Sequence, residues 1–499
     1  MASIRALVSR SAKLQQFAER SDEKYDGQIQ ELVASLRQSL SDQTLNFAAN
    51  DPAVLDNFDP AADAITYLIL LRLQIQTLQE SSQQKIPTAL LPSGTLWPKA
   101  VHYIKGFNPV QVRYVGNEWR QLIELVAHAA QSVSQPLLAT KIIRDAMLRL
   151  DPSCSVFTST HLLFVRLCLH AKSYGCALPI LDKYICHFPG FTERGLSKSS
   201  PVLCARHETS AAFITARSGL SAPLTWRDQS RYFLYGGMIY MALKEWNKAS
   251  HFLELVMSMP SLGPISMIMV EAYKKWVLVG LIEAGKLRPT PKTIAPNVLK
   301  IYQSIARPYL NLAQAFELGD LKRLNAEIDA AVQIWRDDNN MGLVSQVKDS
   351  LSAHALAGIK KIFAAITVSE LSGQALSLPD NVEAAESEIA SLIMSGSVSA
   401  TLVHSPDHPE ATRLRFPSDS ALSRSSQELQ VQNKLENEGR ILEALIEGVK
   451  KRNQVLGLGP EYIDHLRMAQ NWGASGDGFA IMGEDTGLEM DEDIMGDQT

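Results

Sequence analysis

Apolar side chains recur at helical spacing along most of this chain. Ile65, Leu68 and Leu71 begin one such stripe, and comparable stripes follow as far as about residue 363. Apolar residues three and four positions apart place one face of a helix against a core. Helices of about 12 to 20 residues separated by short breaks are typical of antiparallel helix pairs stacked into a solenoid. The pattern predicts a mainly α-helical, tetratricopeptide-like repeat solenoid.

The clearest helix pair spans residues 227–259. Its first helix carries Gly236 and Gly237 in succession, although a glycine inside a helix costs about 1 kcal/mol relative to alanine. Two adjacent glycines make sense where another helix crosses closely, and the second helix supplies large apolar residues such as Phe252. Small residues at a crossing surrounded by large ones are typical of a tetratricopeptide-like hairpin.

The pattern changes after about Gly358. We predict a helix up to Ile366, a short helix from Thr367 and a third helix over residues 382–394. Weak alternation over residues 398–403 then predicts a strand, and a Pro-rich turn leads to a second strand over residues 411–416. Three helices followed by a β-hairpin are typical of a winged helix.

The first strand of this hairpin is a candidate interaction site. An edge strand offers unpaired backbone groups with which a neighbouring chain can pair, and the alternative is an edge that stays solvated or is covered by its own chain. The candidate residues are Val398, Ala400, Leu402 and Val403.

A last long helix is predicted over residues 426–455. Apolar residues recur along it at a spacing of seven, which forms a narrow seam suited to another helix. That seam either packs back on its own domain or joins helices of partner chains. The seam residues are Leu435, Leu442, Leu445, Ile446 and Val449.

These changes of pattern divide the chain. A further helical piece is expected over residues 461–472, ahead of a Gly- and acid-rich tail. The predicted domains are N-terminal helical repeats (1–225), a second domain (226–420) made of helical repeats (226–357) and a winged helix (358–420), C-terminal interface helices (421–472) and a disordered acidic tail (473–499).

Charge argues against nucleic-acid binding. The net charge is −5, and seven acids lie in the last 16 residues, so the rest of the chain is nearly neutral. Residues 358–420 hold four basic and eight acidic residues, and the third helix of the winged helix has three Glu and no Lys or Arg. Such a helix would bring carboxylates against phosphates in a DNA groove.

No motif indicates catalysis, a cofactor or a metal. The chain lacks a Walker loop, GxGxxG after a strand, GxSxG, HExxH and His-x-His. Its five Cys have no zinc-type spacing, and its longest apolar run is far below the roughly 20 residues that span a bilayer. The basic N-terminus fits either a first amphipathic helix or a mitochondrial transit peptide. We therefore expect no catalytic, cofactor-binding or metal-binding residues.

Four stretches resemble known proteins: residues 233–260, 267–286, 336–347 and 387–401. The run Asp338-Asn339-Asn340-Met341-Gly342 within them is the most specific, because it does not follow a generic helix pattern. A helical array that runs into a winged helix resembles the PCI-domain family of the proteasome lid, the COP-nine signalosome and a translation initiation factor complex. The four stretches are similar to the signalosome's third-subunit family.

This resemblance implies a non-catalytic scaffold subunit. The assembled signalosome removes a ubiquitin-like modifier from cullins and so regulates cullin-RING ubiquitin ligases, and a different, JAMM-motif subunit does that chemistry. The implied partners are the other PCI subunits, the JAMM-motif subunit and, through the complex, cullin-RING ligases, with no nucleic acid and no membrane. Cytoplasm and nucleus are the expected locations. Family members pair winged helices edge to edge and bundle their C-terminal helices, which would use both candidate surfaces.

Three alternatives stay open. The first is a PCI subunit of the proteasome lid or of an initiation-factor complex, against which the run at 338–344 argues. The second is a nucleic-acid-binding PCI protein, which the acidic winged helix opposes. The third is an enzyme whose site assembles only in three dimensions within the first 225 residues.

Overall fold

The computed structural model describes residues 23–41, 52–83, 85–188, 210–215, 217–259, 265–374, 381–405, 408–416 and 421–458. The chain divides into two compact units, Met1–Arg415 and Phe416–Thr499. Several predicted features lie outside the described residues: the basic N-terminal helix, the centre of the wing turn, the helical piece at 461–472 and the acidic tail.

The first unit begins with helices that confirm the predicted periodicity. The stripe that starts at Ile65 and Leu68 is buried in a 19-residue helix, where both side chains lie in the core. In chain order the helices are α1 (Glu23–Ser41), α2 (Ala64–Ser82), α3 (Leu96–Gly106), α4 (Pro109–Val112), α5 (Gly116–Ser132), α6 (Leu137–Leu150), α7 (Ser159–His170), α8 (Leu178–Leu181) and α9 (Ser210–Phe213).

The same helical pattern continues through the middle of the chain. Helix α7 packs against α10, α10 against α11, and α11 against α12, as expected of stacked antiparallel pairs. These helices are α10 (Trp226–Ala242), α11 (Trp246–Met257), α12 (Met267–Ala284), α13 (Pro296–Ile305), α14 (Arg307–Glu317), α15 (Leu321–Ala330), α16 (Val332–Asp337) and α17 (Met341–Ile359).

The close helix crossing predicted at the glycine pair is confirmed. A Cβ added to Gly236 would lie 2.7 Å from the ring of Phe252 on α11 and 3.1 Å from Leu181 on α8. A Cβ at Gly237 would lie 3.3 Å from Leu253. The two glycines therefore let α10 and α11 approach each other, which offsets their poor helix propensity.

One hydrophobic core joins these helices. It extends without a break from Ile29 on α1 to Leu351 on α17. The core therefore runs across residue 225, where the sequence analysis placed a domain boundary. Neighbouring helices of a repeat array share one core, so a continuous core does not test where a domain ends. The predicted domain limits therefore stay predictions.

A small α/β module follows the array. Its elements are β1 (Ala365–Thr367), α18 (Val368–Gln374), α19 (Val382–Met394), β2 (Thr401–Ser405) and β3 (His408–Arg415). The three strands form an antiparallel sheet in the order β1-β3-β2. Together with the preceding helix α17, this order of one strand, two helices and a hairpin makes a winged helix. The buried residues of the module, from Ile366 to Leu414, lie outside the main core cluster.

The prediction of a helix up to Ile366 is wrong. Helix α17 ends at Ile359, and residues 365–367 form strand β1, in which Ile366 pairs with Leu414 of β3. Both of these side chains are buried. Periodicity cannot distinguish a short apolar run in a strand from one in a helix, and this strand depends on a partner far along the chain.

The second unit is described over one helix, α20 (Ala421–Leu458), which has 38 residues. It begins five residues before the predicted start at residue 426 and ends three residues after the predicted end at 455. Its apolar seam is treated below.

Candidate protein-interaction surfaces

Strand β2 forms one edge of the winged-helix sheet. Leu402 stands opposite Leu414 of the central strand, and Val403 stands opposite Arg413. Leu402 is half-buried, whereas the side chain of Val403 is 49% exposed. The other side of β2 has no strand paired with it among the described residues. The predicted edge strand therefore exists, with one apolar side chain open to solvent.

The start of the predicted edge strand needs correction. The strand begins at Thr401 instead of residue 398, and Val398 and Ala400 are buried within the chain. The backbone N–H of Val398 donates to the carbonyl of Leu392 at 3.2 Å, closing the end of α19. Gly396, with a φ of 73°, makes this helix end possible. Val398 and Ala400 therefore support the hairpin from inside.

Polar contacts join α19 to two neighbouring elements. His404 Nδ1 of the hairpin lies 3.3 Å from Glu386 Oε1, and the Ser352 hydroxyl on α17 donates to Glu388. Two of the three carboxylates on α19 are thus used within the chain, one toward β2 and one toward α17.

The seam on α20 is the second candidate surface. Leu435 is 63% exposed and Leu442 59% exposed, Ile446 and Val449 are also exposed, and Leu445 is half-buried. Large apolar side chains exposed at a regular helical spacing mark a contact surface for another helix. The described residues thus carry an unpartnered apolar stripe on this helix.

The specific run at residues 338–344 has a structural role that the sequence analysis missed. Lys274 Nζ lies 2.8 Å and 2.7 Å from the two carboxylate oxygens of Asp338, and the Tyr309 hydroxyl donates to Asp338 Oδ2 at 2.7 Å. Burial raises the pKa of Tyr309, and its hydrogen bond to Asp338 raises it further, so the phenol stays protonated. Asp338 therefore ties α12 and α14 to the turn before α17.

Asn340 completes this network. Its side-chain amide donates to the Tyr309 hydroxyl at 2.8 Å and accepts from Lys275 Nζ at 2.9 Å. Asn340 is fully buried, and Lys275 also bonds Glu271 at 2.9 Å. A buried ammonium group requires such partners because an unpaired buried charge is costly. The signal available in the sequence was two adjacent lysines inside a mainly apolar helix.

We expect Asn340→Ala to lower the free energy of unfolding by about 2 kcal/mol, because it leaves the buried Lys275 and Tyr309 each without one hydrogen bond. Urea unfolding of the purified chain measures the change. Asn339→Gly is the matched control, since Asn339 is exposed with a φ of 54°, which glycine adopts freely. Equal losses in the two variants would contradict the role given to Asn340.

The described part of the chain has no group of three His, Cys, Asp or Glu side chains that could hold a metal ion. None of the described helices combines the length and apolar character needed to cross a membrane.

The fold and its two surfaces define a class of protein: a helical-repeat array that ends in a winged helix and exposes an apolar helix seam. A family model described as "COP9 signalosome complex subunit 3, N-terminal helical repeats" matches residues 26–203 and 215–298. The chain belongs to this COP9 signalosome subunit 3 family, which confirms the resemblance found in the sequence.

Two curated relatives support this membership. The chain is 40% identical over 481 residues to the COP9 signalosome complex subunit 3 of Emericella nidulans, which covers 96% of this chain and 95% of the relative. It is 28% identical over 457 residues to the subunit of the same name in Neurospora crassa, covering 89% of this chain and 88% of that protein.

Proposed function

We propose that this chain acts as a non-catalytic scaffold subunit of the signalosome, the complex that deneddylates cullins and so regulates cullin-RING ubiquitin ligases. Its partners are the other PCI subunits and the JAMM-motif subunit, which performs the hydrolysis. It reaches cullin-RING ligases only through the complex, and it works in the cytoplasm and the nucleus.

The observation that carries this proposal is the exposed seam on α20. Leu435, Leu442, Ile446 and Val449 leave four large apolar side chains in water, although burying each would contribute about 1.5–3 kcal/mol. A partner helix that covers the seam recovers that free energy. A subunit built around such a seam is stabilised by its complex.

The edge of β2 supplies the second contact. A strand from a neighbouring winged helix can add to it through main-chain hydrogen bonds, with Val403 packing against the added strand. Main-chain pairing fixes the orientation of two subunits, whereas the helix seam supplies apolar burial. The two surfaces thus make different contributions to assembly.

We expect Val403→Lys to reduce recovery of a neighbouring PCI subunit about fivefold, since a charged side chain blocks edge pairing and removes an apolar contact. Quantitative co-purification measures the effect. Ala365→Lys is the matched control on the opposite edge: Ala365 is exposed and stands opposite Arg415, as Val403 stands opposite Arg413. Unchanged recovery with Val403→Lys would exclude this edge as a contact.

Affinity purification of the tagged full-length chain from its own cells tests the function as a whole. Mass spectrometry is expected to find other PCI subunits and a JAMM-motif subunit, and the eluate is expected to remove the modifier from a neddylated cullin. Recovery of proteasome ATPases or initiation factors would instead assign the chain to a sister complex. A chain recovered without PCI partners would refute the scaffold role.

A further inference from the structure

A small cavity lies inside the N-terminal part of the repeat array. Its volume is about 20 Å³, and all of the residues that line it are buried. One water molecule needs about 10–15 Å³ of such space, together with two to four polar partners. Trp119 of α5, Asp151 after α6 and His161 of α7 all line this cavity.

Only one of the two oxygens of the Asp151 carboxylate accepts hydrogen bonds within the described part of the chain. Its Oδ1 accepts from the backbone N–H of Ser153 at 3.0 Å, from the Ser153 hydroxyl at 2.7 Å and from the Ser210 hydroxyl at 2.6 Å. Its Oδ2 is buried and has no hydrogen-bond partner among the described residues. A buried carboxylate oxygen without a partner is costly, so Oδ2 requires a donor.

The imidazole of His161 presents a donor. The backbone N–H of Thr158 donates to His161 Nδ1 at 3.2 Å, so Nδ1 carries the lone pair. Burial lowers the pKa of His161 to about 4, and the neutral ring therefore holds its single proton on Nε2. Nε2 is buried and has no partner in the described part of the chain.

The indole of Trp119 presents a second donor. Its Nε1–H is buried, is without a hydrogen-bond partner among the described residues and cannot act as an acceptor. Trp119 is 1% exposed, and it too lines the cavity. Asp151 Oδ2, His161 Nε2 and Trp119 Nε1 are therefore three buried polar atoms, on three different segments, that each need a hydrogen-bond partner.

The combination of two donors and one acceptor selects the ligand. A metal cation is excluded because two N–H groups would point their partial positive charge at it. An anion is excluded because the negative Asp151 carboxylate would repel it. Water accepts two hydrogen bonds and donates the third, which matches all three atoms at once. We propose that this cavity binds one structural water molecule, which accepts from Trp119 Nε1 and His161 Nε2 and donates to Asp151 Oδ2.

This water would join segments that are distant in the chain. It links α5 to α7 through Trp119 and His161, and the direct bond from Ser210 to Asp151 adds helix α9 to the same cluster. Helix α9 is thus held by a polar contact at Ser210 as well as by the burial of Phe213. The site belongs to the repeat array and is independent of the proposed interfaces.

A crystal structure of the full-length protein at a resolution that shows ordered water tests the site. We expect one solvent peak within about 2.7–3.2 Å of Trp119 Nε1, His161 Nε2 and Asp151 Oδ2. A cavity without density would overturn the proposal. So would a direct hydrogen bond from His161 Nε2 to Asp151 Oδ2, since the pair would then satisfy each other.

Water-oxygen relaxation dispersion provides a second test in solution. It counts long-lived internal waters, and Trp119→Phe is expected to lower that count by one because a donor is removed. Trp335→Phe is the matched control: Trp335 is also buried, but its Nε1–H already donates to the carbonyl of Ile328 at 3.1 Å. An unchanged count in Trp119→Phe, or an equal loss in both variants, would refute the three-atom site.

Discussion

Replacing Leu442 and Ile446 together with aspartate is expected to release the chain from its complex. Both side chains are exposed on α20 and lie one turn apart on the seam. In a helix bundle they would be buried, and an unpaired buried carboxylate costs several kcal/mol. We expect recovery of the other subunits to fall about tenfold or more, as quantitative co-purification measures.

The matched control carries the same new charge on the other face of the helix. Asn433 and Asn437 are both exposed, are also four residues apart and lie opposite the seam. Asn433→Asp with Asn437→Asp is expected to keep the partners. Full recovery of subunits with the Leu442 and Ile446 double variant would show that the seam is no interface.

Loss of the partner subunits must also be distinguished from misfolding of the variant chain. Because Leu442 and Ile446 are exposed, their replacement is expected to change the stability of the isolated chain by only about 0.5 kcal/mol. The thermal unfolding curve of each double variant checks this. A large drop in the unfolding temperature of the seam variant alone would mean that the side chains are needed for folding.

The isolated chain is expected to lose about 3 kcal/mol of stability between about pH 6.5 and pH 4 through one residue, His161. Burial lowers the pKa of His161 to about 4 in the folded chain, against an ordinary value of 6.5. Between these values the unfolded chain binds a proton that the folded chain does not, so stability falls as the pH falls. Urea unfolding at a series of pH values measures the slope.

His161→Gln is expected to flatten that slope, even if it lowers stability at neutral pH. The comparison isolates His161 from the carboxylates, which both proteins keep. His102→Gln is the control for replacing a histidine as such, because His102 is exposed and lies outside the core. If the free energy of unfolding falls equally at low pH with and without His161, burial does not lower the pKa of this residue as proposed.

The sequence predicted the recurring helices well because the signal is local. Stripes such as Ile65 and Leu68 repeat with the helical period, and the glycine pair Gly236-Gly237 marked a close crossing with the next helix along the chain. The hairpin and the long final helix were also found, with ends that differed by a few residues. The strand that begins at Thr401 was placed three residues too early.

The candidate site was only partly predictable for the same reason. Leu435, Leu442, Ile446 and Val449 were found as a seam by spacing alone, and their exposure agrees with it. Whether partners cover that seam stays a prediction. Val398 and Ala400 were placed on the interaction edge because weak alternation shows neither that the strand begins only at Thr401 nor that the rest of the chain covers these two residues.

The sequence by itself determined the helical repeat array, the winged helix and the apolar stripe on α20, because periodicity and turn residues act over a few neighbours. Only the tertiary structure decided which elements pair over long distances: Ile366 with Leu414, Asn340 with Lys275, and Trp119 with Asp151 and His161 around one cavity. Such contacts depend on how remote segments meet. A strand needs its partner, and a buried polar group needs the atom that satisfies it.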